Sequence, residues 1–207
     1  MPNWEYEERA AAAGYTAVCG VDEAGAGPLA GPVYAAAVIL PHGLELPWLN
    51  DSKQVTPKRR DTLFNLIREQ AAAWSVASVS AKEIDEMDIL NARMLAMQRA
   101  IDGLTPSADY ALIDGNRDHG SRYTIVTAHE TVVKGDSLSF SIAAASILAK
   151  VSRDQYMEQL AEEYPQYRFD QHKGYGTKLH YEMLDQFGPS PVHRRTFLQK
   201  WEARRHG

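Results

Sequence analysis

Residues 18–40, VCGVDEAGAGPLAGPVYAAAVIL, constrain the fold more than any other part of this chain. Two apolar runs, 17–21 and 33–40, read as buried strands, and a Gly/Pro-rich turn lies between them. At the end of the first run two carboxylates stand side by side, Asp22 and Glu23. A charged pair ending a buried strand is costly unless a metal ion or a basic partner compensates it. No Lys or Arg lies between Arg9 and Lys53, so a compensating cation must come from elsewhere in the chain or from solution. Gly25, Gly27 and Gly31 let backbone amides approach a ligand with no Cβ in the way.

The same residues offer a rival pattern, since Gly25 to Ala30 matches G-x-G-x-x-G/A. That fingerprint must open a helix whose N-terminus holds a pyrophosphate. Here Pro28 and the Gly31-Pro32 pair break the chain, a strand-like run follows, and two carboxylates precede the turn. Dinucleotide binding is therefore rejected.

The 207 residues suit one domain, 1–207, in which about 165–207 form a helical C-terminal extension. The longest uninterrupted apolar run, 33–40, is far too short to span a bilayer, so no membrane association is expected. The acidic start MPNWEYEERA lacks the apolar region of a signal peptide, and a single cysteine, Cys19, excludes an intrachain disulfide. Both point to the cytoplasm. Cys19 falls inside the first strand and reads as a buried, inert thiol. A net charge of −5 argues against a nonspecific nucleic-acid coat. Any phosphate-binding surface must be a local basic patch. Two candidates are Lys53 with Lys58, Arg59 and Arg60, and the tail with Arg194, Arg195, Lys200, Arg204 and Arg205; the tail reads as a solvated helix face.

Along the chain, residues 3–12 form a short polar helix, and Thr56-Pro57 opens a helix to about residue 73. Residues 74–79 alternate as a third strand. Ser80 and Glu83 form a capping box, and Leu90, Met94, Met97 and Ile101 recur at helical spacing. Residues 110–113 are a strand ending on Asp114, and 124–133 a further strand ending near Asp136. A long helix lies within 137–163, and two more follow the His172-Lys-Gly-Tyr175 stretch. The expected fold is α/β, a mixed sheet flanked by helices. Three strands then end in acid, at Asp22-Glu23, Asp114 and Asp136, and ligands of such sheets bind just outside strand ends. Each acid taken alone reads as a cap or turn residue. Their joint placement favours a hard divalent cation, Mg²⁺ or Mn²⁺, and metal-assisted phosphodiester hydrolysis. The seven histidines are scattered, with no zinc spacing.

The ordered series VDEAGAGPLAGPV, LNDSKQVTPKRR, EIDEMDILNARMLAMQRA, LIDGN, VVKGDS, AASILAKVSRD and QHKGY resembles bacterial ribonuclease HII over nearly the whole chain. The resemblance implies a ribonuclease H-like mixed sheet of about five strands with a C-terminal helical extension. It implies metal-dependent endonucleolytic cleavage of RNA–DNA hybrids and at single ribonucleotides in duplex DNA, leaving 3′-hydroxyl and 5′-phosphate ends. Carried over by motif, Asp22, Glu23, Asp114 and Asp136 would hold Mn²⁺ or Mg²⁺. Gly25, Ala26 and Gly27 would read the ribose 2′-hydroxyl through main-chain groups, Tyr175 would pack on the sugar, and Lys53 would contact a phosphate. The spacing alone leaves Tyr175 open to a plainer reading as a half-buried aromatic. The family's turn usually reads Gly-Arg-Gly, so Ala26 removes a cation beside the scissile region. The protein is expected to act as a monomer on RNA–DNA hybrid and ribonucleotide-containing duplex DNA. The rival is a hybrid-binding protein with weak or no catalysis, which has no need of four carboxylates that repel phosphates.

Overall fold

The computed structural model describes residues 2–49 and 55–206. In chain order the elements are α1 (Glu5–Ala12), β1 (Val18–Ala24), β2 (Val33–Ile39), α2 (Pro57–Gln70), β3 (Ala73–Val79), α3 (Ala81–Met87) and α4 (Ile89–Asp102). Then come β4 (Tyr110–Asp114), β5 (His129–Val132), α5 (Phe140–Glu163), α6 (Phe169–His172), α7 (Lys178–Phe187) and α8 (Arg195–His206). The five strands form one mixed sheet in the order β3-β2-β1-β4-β5. β1 to β3 make an antiparallel meander, whereas β4 pairs parallel with both β1 and β5.

The apolar runs are continuous because the sheet is covered on both faces. Along β2, Ala35 and Ala37 belong to a core shared with Met94, Met97 and Ile101 of α4. The alternate residues Ala36 and Val38 pack instead with Leu63 and Ile67 of α2 and Ile147 and Leu148 of α5. α5 lies so close to β1 that a Cβ on Gly20 would overlap the Ser141 backbone. That approach fixes the height of α5 over the carboxylate end of β1. Cys19 is fully buried, and burial pushes its thiol up to about 12, so it is unreactive.

Local signals held well. Ser80 accepts from the Glu83 amide at 3.2 Å while the Ser80 amide donates to Glu83 Oε2 at 2.8 Å, a closed capping box. Two boundaries moved. α2 stops at Gln70 because Ala73 already pairs with Ile39 in the sheet. β5 is only four residues long, because the preceding segment bonds elsewhere: Ile125 N–H to the Asp118 carbonyl and Val126 N–H to Gln98 Oε1 of α4, both at 2.9 Å. Asp136 therefore sits in a 3₁₀ turn, Gly135–Ser137, and not at a strand end. Among the described residues, no helix is long and apolar enough to cross a membrane.

Candidate active site

β1 continues through Asp22 and Glu23 to Ala24, so both acids lie in the last residues of the central strand. Asp114 closes the neighbouring parallel strand β4. The 3₁₀ turn after β5 brings in Asp136, whose amide donates to Asp114 Oδ1 at 3.3 Å. These four carboxylates line one cleft of about 230 Å³, together with Lys150 of α5 and Tyr175. The acids thus meet as expected from the sequence, although one arrives on a turn.

Their electrostatics are strained. Burial pushes the Asp22 carboxyl well above the usual carboxylate range, and the charges of Glu23 and Asp114 push it further. Glu23 is also raised by burial, against the pull of Arg93, whose guanidinium meets Glu23 Oε1 at 2.5 Å. Glu23 Oε2 is buried with no hydrogen-bond partner. Among the described residues, no three His, Cys, Asp or Glu side chains close into a ready-made cage for an ion. Arg93 meets Glu23, and the Asp136 amide donates to Asp114. The donor set still fits a hard cation. It consists of carboxylate oxygens, one of them an orphan buried beside a partner that carries excess negative charge.

The turn after β1 is built from below. Gly25 has φ +91°, and any Cβ there would overlap the Arg153 guanidinium. Arg153, 1% exposed, donates through Nε to the Pro32 carbonyl at 3.1 Å and through Nη2 to the Ala30 carbonyl at 3.3 Å. Arg194, 0% exposed, donates to the carbonyls of Gly31, Ala26 and Gly25 at 2.9, 2.9 and 2.6 Å. Among the described residues, the amides of Ala26 and Gly27 make no hydrogen bond within the chain. The carbonyls of the turn are pinned from behind, which leaves its donors for a ligand.

Tyr175 is 44% exposed, and the Arg153 guanidinium lies 5.6 Å from its ring centroid. Its loop joins the turn through the Leu29 amide, which donates to the Gly174 carbonyl at 2.8 Å. Beneath it three histidines meet. His172 and His180 stack at 4.2 Å between centroids, and His180 Nε2 is 2.9 Å from His193 Nε2. Burial lowers all three, His180 to about 4 and His193 to about 3, so they are neutral imidazoles.

Two readings of the sequence need correction here. The histidines are not all scattered, because His172, His180 and His193 form one buried cluster. Their ring nitrogens bond to backbone groups, to Ser190 Oγ and to each other. Arg194 is not on a solvated helix face but is wholly buried. Its signal was weak, because carbonyl partners carry no sequence signature. Arg153 was more legible: it falls on the stripe of Ala149, Met157 and Leu160, all buried. Lys150 and Ser146, which line the cleft from α5, were also missed. Lys53 lies outside the described residues.

Comparison with known proteins follows the same outline. A family model described as Ribonuclease HII matches residues 19–200. Ribonuclease HII of Geobacter sulfurreducens is 51% identical over 194 residues, covering 94% of this chain and 88% of that protein. The crystal structure of ribonuclease H2 from Pyrococcus horikoshii superposes with a TM-score of 0.75 at 27% identity, covering 91% of this chain and 98% of that one. The structure of Bst-RNase HIII in complex with Mn²⁺ shares the fold at a TM-score of 0.68 and 19% identity, covering 92% of this chain and 70% of that one.

Proposed function

The chain belongs to the ribonuclease HII family, and on that premise we propose that it cuts RNA–DNA hybrids and duplex DNA at single embedded ribonucleotides. It is a nuclease of the ribonuclease H type. The observation that carries the finer reading is the convergence of Asp22, Glu23, Asp114 and Asp136 on one cleft whose rim holds Tyr175.

Asp22, Glu23, Asp114 and Asp136 would hold Mg²⁺ or Mn²⁺. A bound ion of this kind would supply Lewis acidity and offset the charge on the scissile phosphate. The acids orient the attacking water, which adds to phosphorus as the bond to the 3′-oxygen breaks. The 3′-oxygen leaves and takes up a proton, giving a 3′-hydroxyl and a 5′-phosphate. Glu23 would contribute its Oε2, which is buried with no hydrogen-bond partner, while Arg93 holds Oε1. The amides of the Gly25-Ala26-Gly27 turn read the 2′-hydroxyl, the group that separates RNA from DNA. Tyr175 packs on the adjoining sugar, and Lys53 contacts a phosphate beside the site.

The test is cleavage of a DNA duplex containing one ribonucleotide, and of an RNA–DNA hybrid, with Mg²⁺ or Mn²⁺. Cutting next to the ribonucleotide, abolished by EDTA, is expected. Failure to cut either substrate over a range of protein concentrations would overturn the reading, as would equal cutting of an all-DNA duplex.

A further inference from the structure

Arg194 takes no part in the chemistry above, yet it is wholly enclosed behind the turn that follows β1. Its guanidinium reaches across 168 and 169 residues of sequence to the Ala26 and Gly25 carbonyls, and also to Gly31. Among the described residues, neither Arg194 nor Arg153 pairs with a carboxylate. Burial and the Arg153 charge lower the Arg194 guanidinium to about 9, so it remains charged at neutral pH. A planar fork reaches the three carbonyls from three separate nitrogens held in one rigid plane, whereas the donors of a lysine all radiate from a single nitrogen.

The residue beside it faces the other half of the rim. His193 Nδ1 accepts from the Ser190 amide at 3.0 Å, so its proton lies on Nε2 and is donated to His180 Nε2. His180 then carries its own proton on Nδ1 and donates it to the Tyr175 carbonyl at 3.0 Å. Backbone bonds lock residues 192–194 to the turn: Arg194 N–H to the Leu29 carbonyl at 2.8 Å and Gly31 N–H to the Val192 carbonyl at 2.9 Å. His193-Arg194 therefore touches both the turn and the tyrosine loop from behind.

We propose that Arg194 is a positioning residue for ribonucleotide recognition, fixing the Gly25-Ala26 carbonyls and, through its neighbour His193, the spacing between that turn and Tyr175. This rests on the reading of the turn and Tyr175 given above. Arg194 touches no substrate; it acts through the backbone it holds.

The experiment measures binding of a duplex with one ribonucleotide and of an all-DNA duplex, in Ca²⁺ to suppress cleavage, for the wild type, Arg194→Met and Arg194→Lys. Arg194→Met is expected to lower the preference for the ribonucleotide duplex roughly tenfold, with all-DNA affinity changed by less than about twofold. Arg194→Lys, which keeps charge and bulk but fewer donors, should fall between. The rise in melting temperature with Mn²⁺ should survive in both, because the acid cleft is untouched. Equal weakening on both duplexes, with preference intact, would overturn the proposal by making the residue merely structural. So would loss of the Mn²⁺ response in Arg194→Lys, which would mean that the arginine holds the whole fold. If Arg194→Met alone fails to fold, Arg194→Lys decides. A wild type without preference would instead sink the underlying reading of the turn.

Discussion

Two buried charge clusters face each other across the turn of residues 25–32, and they are stabilised in opposite ways. On one side Asp22, Glu23, Asp114 and Asp136 crowd together, with Arg93 as the cation that Glu23 meets. On the other, Arg153 and Arg194 are buried with carbonyls for partners, and His193, next to Arg194 in sequence, joins His180 in a neutral cluster. The carbonyls are permanent partners for both guanidiniums, although Arg153 Nη1 is buried with none. Among the acids, burial and then the charges of Glu23 and Asp114 raise the Asp22 carboxyl, and burial raises Glu23 against the pull of Arg93. The two clusters differ in what can relieve them: the arginines face fixed carbonyls, whereas the acids form a set of oxygens that suits a hard cation.

The largest effect that could break this contrast is on rate. Asp136→Asn should lower cleavage by roughly a thousandfold or more, since it removes charge where water and ion must be placed. Asp22→Asn should do likewise. Because Asp22 is a buried carboxylate pressed by two others, its replacement should also raise the melting temperature in EDTA. A variant that is both slow and more stable marks an acid kept for chemistry. Near-normal turnover at saturating metal would show that the cleft is not the centre.

Metal addition comes next. An ion that binds only the folded chain stabilises it by mass action, about 2.7 kcal/mol at a hundred times its dissociation constant, or roughly 5–10 °C for a protein of this size. Mn²⁺ should give such a rise in the wild type and in Arg194→Lys, but not in Asp22→Asn. Equal rises in all three would mean nonspecific ion binding and would dissolve the difference between the clusters.

How far the two clusters could be read in the sequence follows from the same contrast. Acids beside Gly at the ends of apolar runs stand out, so Asp22, Glu23 and Asp114 were placed on the right strands. Asp136 was assigned to the cleft but to the wrong element, because Ile125 and Val126, in a run of strand composition, spend their amide hydrogen bonds on Asp118 and on Gln98. The basic cluster was nearly invisible. Arg194 follows a Pro-Ser-Pro segment and precedes a charged helix, which is the composition of a solvated tail. Its partners are backbone carbonyls 163 or more residues away, and any residue presents a carbonyl. The histidines meet only because α6, α7 and the segment before α8 fold onto one another.

Acid sharpens the comparison further. His180 and His193 have folded values of about 4 and about 3 against 6.5 unfolded, so the unfolded chain binds their protons first. Their contribution to stability is full above about pH 6.5 and is lost as pH falls toward 4 and then 3. His172 and Arg195, which face them, push in the same direction. Asp22 has the opposite sign. Its folded value lies above 3.8, so it costs stability when ionised and relieves that cost as pH falls. In metal-free urea titrations His193→Gln should flatten the acid limb, whereas Asp22→Asn should steepen it. Movement in the same direction would refute the opposition.

The smallest effect tests the seam between the clusters. Ala26 stands where the family's turn usually carries arginine, but its carbonyl is held by Arg194 whatever its side chain. If the backbone alone reads the sugar, Ala26→Arg adds only a phosphate contact on the outer side of the turn. The slope of log K against log salt should then steepen by roughly 0.9. Affinity for both duplexes should rise by about 1 kcal/mol, the low end for a charge-assisted bond near solvent. Preference for the ribonucleotide duplex should hardly change, because phosphate contacts position and do not specify. Binding of both duplexes in Ca²⁺ across a salt series measures all three. A large gain in preference would mean that the side chain joins in reading the sugar, and that the scaffold behind the turn is not sufficient. An unchanged slope would mean that an arginine at this position never reaches a phosphate, so the missing cation is of no consequence here.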